Sequence, residues 1–102
     1  MRVRHAVAAV SLALSLSGVA QAAPMAKAQY LAATCANCHG TNGQAQAGSV
    51  SLAGYDATRF VETMKAFAAG KREATLMHQL SKGYTDDQLK AMASFFASQK
   101  AQ

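Results

Sequence analysis

Two cysteines, Cys35 and Cys38, and the histidine that follows at once, His39, are the residues of this 102-residue chain whose types and spacing can do chemistry. C-x-x-C-H is the pattern of covalent c-type haem attachment. Positions i, i+3 and i+4 share one face of a helical turn. Both sulfurs can therefore form thioethers with the two vinyl groups of one porphyrin while the imidazole of His39 reaches its iron. The chain holds no other thiol to compete. A thioredoxin-like dithiol also uses C-x-x-C, but within a βαβ pattern, and no strand pattern is visible. A zinc site would want four ligands, and the only further histidines are His5 and His78. A short-loop disulfide would leave His39 unexplained.

His39 serves one side of the iron as proximal ligand. An electron carrier needs a ligand on the other side too, because a saturated iron changes little between oxidation states. A thioether raises the potential relative to a second imidazole. Past residue 22 the methionines are Met25, Met64, Met77 and Met92. Met64 and Met92 fall on apolar helical stripes, where core packing accounts for them, and Met25 lies before the attachment motif. Met77 stands 38 positions after His39, between two expected helices, where the chain can return over the other haem face. It is the expected distal ligand. His78 is the second candidate. An open sixth position, fit for small-ligand sensing or peroxidase chemistry, is the third. The other ring N–H of His39 is expected to donate to a backbone carbonyl within residues 48–52. Arg72, Lys71, Tyr55 and Tyr84 are candidates to hold the propionates, each with a solvated side chain as the plainer alternative.

The elements that must position these groups follow from periodicity. Residues 1–22 read as a secretory leader: Arg2 and Arg4, an apolar run from Ala6 to Val19, then Ala20-Gln21-Ala22 as a small-x-small cleavage site. The run is short, and too rich in Ser and Gly, for a comfortable membrane span. Residues 23–102 are expected to form a single domain with no membrane span, working in the periplasm. A first helix is predicted over Lys27–Thr34, with Ala28, Leu31, Ala32 and Cys35 on one stripe and Tyr30 as a packing residue. Gly40 to Gly54 reads as a long polar loop, which in so small a domain needs a purpose. Wrapping a cofactor is one, with Leu52 turned inward. Asp56 caps a helix over Ala57–Ala69 that stops at Gly70. A short helix is predicted over Glu73–Leu80. Thr85-Asp86-Asp87-Gln88 is a capping box opening a last helix to about Gln99, which should cross the alanine-rich first one.

Composition agrees with a small all-α protein: 51% hydrophobic, with no Trp. Removing the leader leaves 80 residues, a marginal core that a buried porphyrin would complete. It also lowers Lys plus Arg from 10 to 8 against 5 acidic residues, a net charge of +3. The bases are scattered and do not interleave with aromatics, which argues against nucleic acid.

Larger stretches carry a family resemblance. C-A-N-C-H-G at 35–40, S-L-A-G at 51–54, F-V-E-T-M-K-A-F-A-A-G-K-R at 60–72 and A-T-L-M-H-Q-L-S-K-G-Y-T-D-D-Q-L at 74–89 resemble a class I c-type cytochrome. Within that class they are most similar to the module in the haem subunit of flavocytochrome c sulfide dehydrogenase. The resemblance implies the cytochrome c-like fold, about four short helices around one covalent haem c with the terminal helices crossing. It implies thioethers at Cys35 and Cys38, His39 as proximal ligand and Met77 as distal ligand. It implies an electron-transfer protein rather than an enzyme, with redox proteins as partners: a flavoprotein dehydrogenase subunit, and a terminal oxidase or other cytochrome. Two positions depart from the family pattern. Val50 replaces the proline that precedes S-L-A-G, and Tyr55 replaces a common glutamine.

Overall fold

The structure is a computed structural model and describes residues 19–101, the first six of them by backbone alone. Most of the expected leader therefore lies outside the described residues. Among those described there are five α-helices, two 3₁₀ turns and no strand, an all-α fold. The helices are α1 (Val19–Ala33), α2 (Ala36–His39), α3 (Ala57–Ala68), α4 (Met77–Leu80) and α5 (Asp86–Ser98). The 3₁₀ turns are Thr41–Gly43 and Ser81–Gly83.

Helix α5 is the centre of the molecule. Its capping box forms as the sequence requires: the Thr85 hydroxyl accepts from the Gln88 amide at 3.2 Å, and the Gln88 side chain accepts from the Thr85 amide at 2.9 Å. Leu89, Met92, Ala93, Phe95 and Phe96 are all buried. Helix α1 packs along α5 with the small residues Ala28 and Ala32 at the contact, which lets the two axes approach closely. Helix α3 packs on α5 from another side with Phe60 and Met64. Each fully buried large side chain contributes about 1.5–3 kcal/mol by leaving water.

Helix α3 begins as expected, the Asp56 carboxylate accepting from the Arg59 amide at 2.9 Å. It ends at Ala68, one residue early, with Gly70 at φ +68° behind it. Three expectations need correction. Helix α1 starts at Val19 rather than Lys27, and so runs across the expected cleavage point. Tyr30 is not a packing residue: it is 79% exposed, on the side of α1 turned away from Ala28 and Ala32. The helix expected over Glu73–Leu80 forms only from Met77. Its physical reason is visible in what residues 72–77 do. Arg72, Ala74, Thr75, Leu76 and Met77 all face one cavity, and a helix cannot turn so many near-consecutive residues to one side.

The long loop is less irregular than its composition implies. Gly43 closes the first 3₁₀ turn, and its carbonyl accepts from the amides of Leu52 at 2.8 Å and Ala53 at 3.1 Å. Gly54 then donates to the Phe96 carbonyl of α5 at 2.8 Å. Residues 44–51 are thus a lobe pinched at its base and fixed to the core helix.

Candidate functional site

The attachment motif occupies α2, a single helical turn that starts directly after the turn closing α1. Cys35 caps it in helical conformation (φ −74°, ψ −19°), and the His39 amide donates to the Cys35 carbonyl at 2.9 Å. Cys35, Cys38 and His39 are in fact on one helical face, and all three line the same cavity. The Cys35 thiol is half-buried and the Cys38 thiol exposed. Burial pushes the Cys35 thiol up, and a hydrogen bond with the Thr34 hydroxyl works weakly the other way.

The cavity measures about 440 Å³, within the range of cofactor sites. One wall comes from α3: Phe60, Thr63, Met64 and Phe67. Another is the non-helical run 72–76, with Met77 and Leu80 of α4 beyond it. Leu52 and Tyr55 close it from the loop, so Leu52 does turn inward. The cavity wall and the hydrophobic core are one continuous structure. Rings pass from Tyr55 to Phe60 (6.3 Å between centroids), from Phe60 to Phe96 (5.6 Å) and from Phe96 to Phe95 (5.4 Å).

His39 is oriented by the lobe. Its Nδ1 donates to the Val50 carbonyl at 2.6 Å, within the predicted segment, which leaves Nε2 for the cavity. The Ser49 hydroxyl donates to the Cys38 carbonyl and ties the lobe to the same turn. Val50 can do this in place of a proline because the acceptor is main chain.

Met77, the first residue of α4, lines the cavity; its neighbour His78 does not. The Nδ1 of His78 is instead buried without a hydrogen-bond partner. Met64 lines the cavity while 95% buried in the core, and Met92 is wholly core. Met25 is on α1, 49% exposed and away from the site. Of the four propionate candidates, Arg72, Tyr55 and Tyr84 reach the cavity and Lys71 does not. The Arg72 guanidinium is 5.2 Å from the centroid of the Phe67 ring, a cation–π contact that steadies it. The Tyr84 hydroxyl is 3.0 Å from that of Thr34, joining the approach to α5 with the end of α1.

These contents answer whether haem suits the site. An open-mouthed apolar cavity presents two thiols, an imidazole, a thioether and one guanidinium, which is the donor set that a covalently held, propionate-bearing porphyrin requires. Among the described residues no group of three or more His, Cys, Asp or Glu side chains gathers as a metal site would need, so the zinc alternative finds no support there. Sequence reasoning missed Thr34, the α3 wall of Phe60, Thr63 and Phe67, and the residues Ala74, Thr75, Leu76 and Leu80 as lining residues. Thr34 alone carried a signal, its place beside Cys35.

Comparison with known proteins agrees with this reading. A family model described as Cytochrome c matches residues 25–100. A cytochrome c-554(548) of Halomonas halodenitrificans is 35% identical over 71 residues, 66% of this chain and 86% of the relative. The cytochrome subunit of sulfide dehydrogenase of Chlorobaculum tepidum is 31% identical over 102 residues, 89% of this chain and 92% of the relative. Cytochrome c4 of Pseudomonas aeruginosa is 38% identical over 91 residues, but these are 87% of this chain and 45% of the longer relative.

Proposed function

The chain belongs to the cytochrome c family, as a monohaem electron-transfer protein with one covalently attached haem c, and from that footing we propose that it carries single electrons through a His39/Met77-ligated iron in the periplasm. The observation that carries this reading is the meeting of four side chains from two separate segments, Cys35, Cys38, His39 and Met77, on one cavity. Bound haem supplies the one-electron ferric/ferrous couple. The chain supplies everything that tunes it. Cys35 and Cys38 hold the porphyrin covalently, and His39 is aimed by its bond to the Val50 carbonyl. The thioether of Met77 raises the potential relative to a bis-imidazole site. The apolar wall of Phe60, Met64 and Phe67 excludes water and so limits reorganisation around the changing charge. Arg72 is suited to a propionate.

On this reading the protein is not an enzyme, and its partners are other redox proteins. The likeness to a sulfide dehydrogenase subunit favours a flavoprotein dehydrogenase as donor, with an oxidase or second cytochrome as acceptor. Val50, Leu76 and Leu80 border the cavity with more than half their surface exposed, an apolar rim of the kind that seats a partner close to a haem edge. Among the described residues no helix is long and apolar enough to cross a membrane. Secretion behind residues 1–22 is part of the proposal.

The test is an absorption spectrum of the mature haem protein, oxidised and reduced, for wild type and Met77→Ala. A low-spin iron whose sulfur-to-iron band disappears in the variant is the expected result. A wild-type iron that is high-spin and unchanged by Met77→Ala would replace this reading with the open-site alternative.

A further inference from the structure

Helix α4 packs against α3, but its own turn has little to fix its backbone. It is four residues long, and a single turn has no stability of its own. Its N-cap, Leu76, is non-helical at φ −126° and offers no side-chain cap. Leu76, Gln79 and Leu80 are exposed. Yet its first residue is Met77, whose sulfur must keep a fixed position if it is to stay on an iron. Packing on α3 places the turn, and something must still fix its backbone at Met77.

The one buried polar or charged residue among those described lies at its other end. Ser81 is 2% exposed, and its hydroxyl donates to the Met77 carbonyl at 2.6 Å. The Ser81 amide, as the C-cap of α4, is directed at the same carbonyl and at that of Gln79. One residue therefore grips the Met77 backbone twice. Serine hydroxyls often bond back to the carbonyl four residues earlier, and on a surface helix this means little. Burial changes its weight. A hydroxyl removed from water costs free energy unless it is paired, and the position would accept alanine, a better helix former, with no such demand. In the structure the hydroxyl's hydrogen bond is spent on the main chain of the residue whose side chain faces the cavity.

We propose that Ser81 is a positioning residue for the distal ligand: its buried hydroxyl fixes the backbone of Met77 and so keeps the thioether directed into the haem cavity. This rests on Met77 being the ligand, as proposed above. The role is one of presentation, and Ser81 itself does not line the cavity. Its loss should leave the fold intact while Met77 leaves the iron more often.

The experiment titrates imidazole, as a competing ligand, into the ferric mature haem protein for wild type, Ser81→Ala, Ser81→Thr and Met77→Ala. Imidazole binds only when Met77 is away, so its apparent affinity reports that population. Ser81→Ala should raise the affinity about three- to tenfold, the range of one buried hydrogen bond. Ser81→Thr keeps the hydroxyl and should return it to near wild type. Met77→Ala sets the upper limit. Wild-type affinity in Ser81→Ala would overturn the proposal, and so would an equal rise in both Ser81 variants, which would mean packing rather than the hydroxyl. If wild type already binds as tightly as Met77→Ala, it is the Met77 assignment that fails, and the Ser81 role with it. A measurement on wild type needs no variant to fold. In the diamagnetic ferrous protein the Ser81 hydroxyl proton should exchange slowly and show a nuclear Overhauser contact to Met77. Rapid exchange with water would refute the buried bond.

Discussion

At the scale of single residues, the site separates into contacts that local spacing dictates and contacts that only packing reveals. Cys35, Cys38 and His39 share a face because three and four positions make one helical turn, and that is readable from five letters. The carbonyl partner of His39 is readable to within a few residues, because a ligating histidine needs an acceptor for its other ring N–H and the loop after it supplies one. That partner is Val50, and the position yields a prediction. Among the described residues the Val50 amide has no acceptor, so a proline there would lose no hydrogen bond and would keep the carbonyl that His39 uses. Val50→Pro should stabilise the protein by about 0.4–1 kcal/mol, by restricting the unfolded chain. A thermal melt of the oxidised protein should show a higher midpoint with an unchanged spectrum. A lower midpoint would mean that the lobe needs a backbone angle proline cannot adopt. Ser81 was not readable in this way. Nothing in its neighbourhood of sequence distinguishes a buried serine from a surface one until α3 is packed against its turn.

At the scale of elements, the sequence was legible wherever the chain itself supplies the stop or start. Asp56 and Thr85 begin their helices by side-chain hydrogen bonds from the amides of Arg59 and Gln88, and Gly70 ends one, so those boundaries fall within a residue of expectation. The predicted α4 begins four residues before the observed one, because what keeps residues 73–76 out of a helix is the cavity they border, a tertiary fact. The lobe 44–51 was similarly under-read, since its order comes from Gly43 and α5. Gly43 makes the stronger test. It sits at φ +78°, and a side-chain carbon on it would fall 2.7 Å from the Ala53 amide and 2.9 Å from the Phe96 ring. Neither neighbour can give way: one is main chain, and the other is a ring 99% buried in the core. Gly43→Ala should therefore cost about 2 kcal/mol or more, combining a forbidden backbone angle with a collision. For a domain this small, that is a fall of roughly 8 °C or more in melting temperature. Because the lobe also holds His39, the haem proton resonances should shift in this variant. A melt within a degree or two of wild type would show that the loop and α5 are not rigidly joined.

At the scale of the whole molecule, oxidation state and folding are linked. A thioether is a soft donor and favours ferrous over ferric iron. The folded chain presents one through Met77 on the proposed ligation, and the unfolded chain does not hold it there. By reciprocity, any preference of the folded protein for the ferrous state is returned as added stability of the reduced protein. The reduced form should therefore require more guanidinium to unfold than the oxidised form, and Met77→Ala should shrink the gap between the two midpoints. Coincident midpoints in wild type would remove the thioether from the couple. The non-helical run 72–76, met above as a cavity wall, gains a second meaning in this light. With His39 and Met77 on one iron, the lobe, α3 and that run become a closed ring, and Met77 is its clasp. Closing a ring of such length costs about 4 kcal/mol of chain entropy, and the cost grows only logarithmically with added residues. Insertions in the 72–76 strap should then loosen the clasp by small, graded steps, set by length alone, whereas any change at Ser81 acts on the clasp itself.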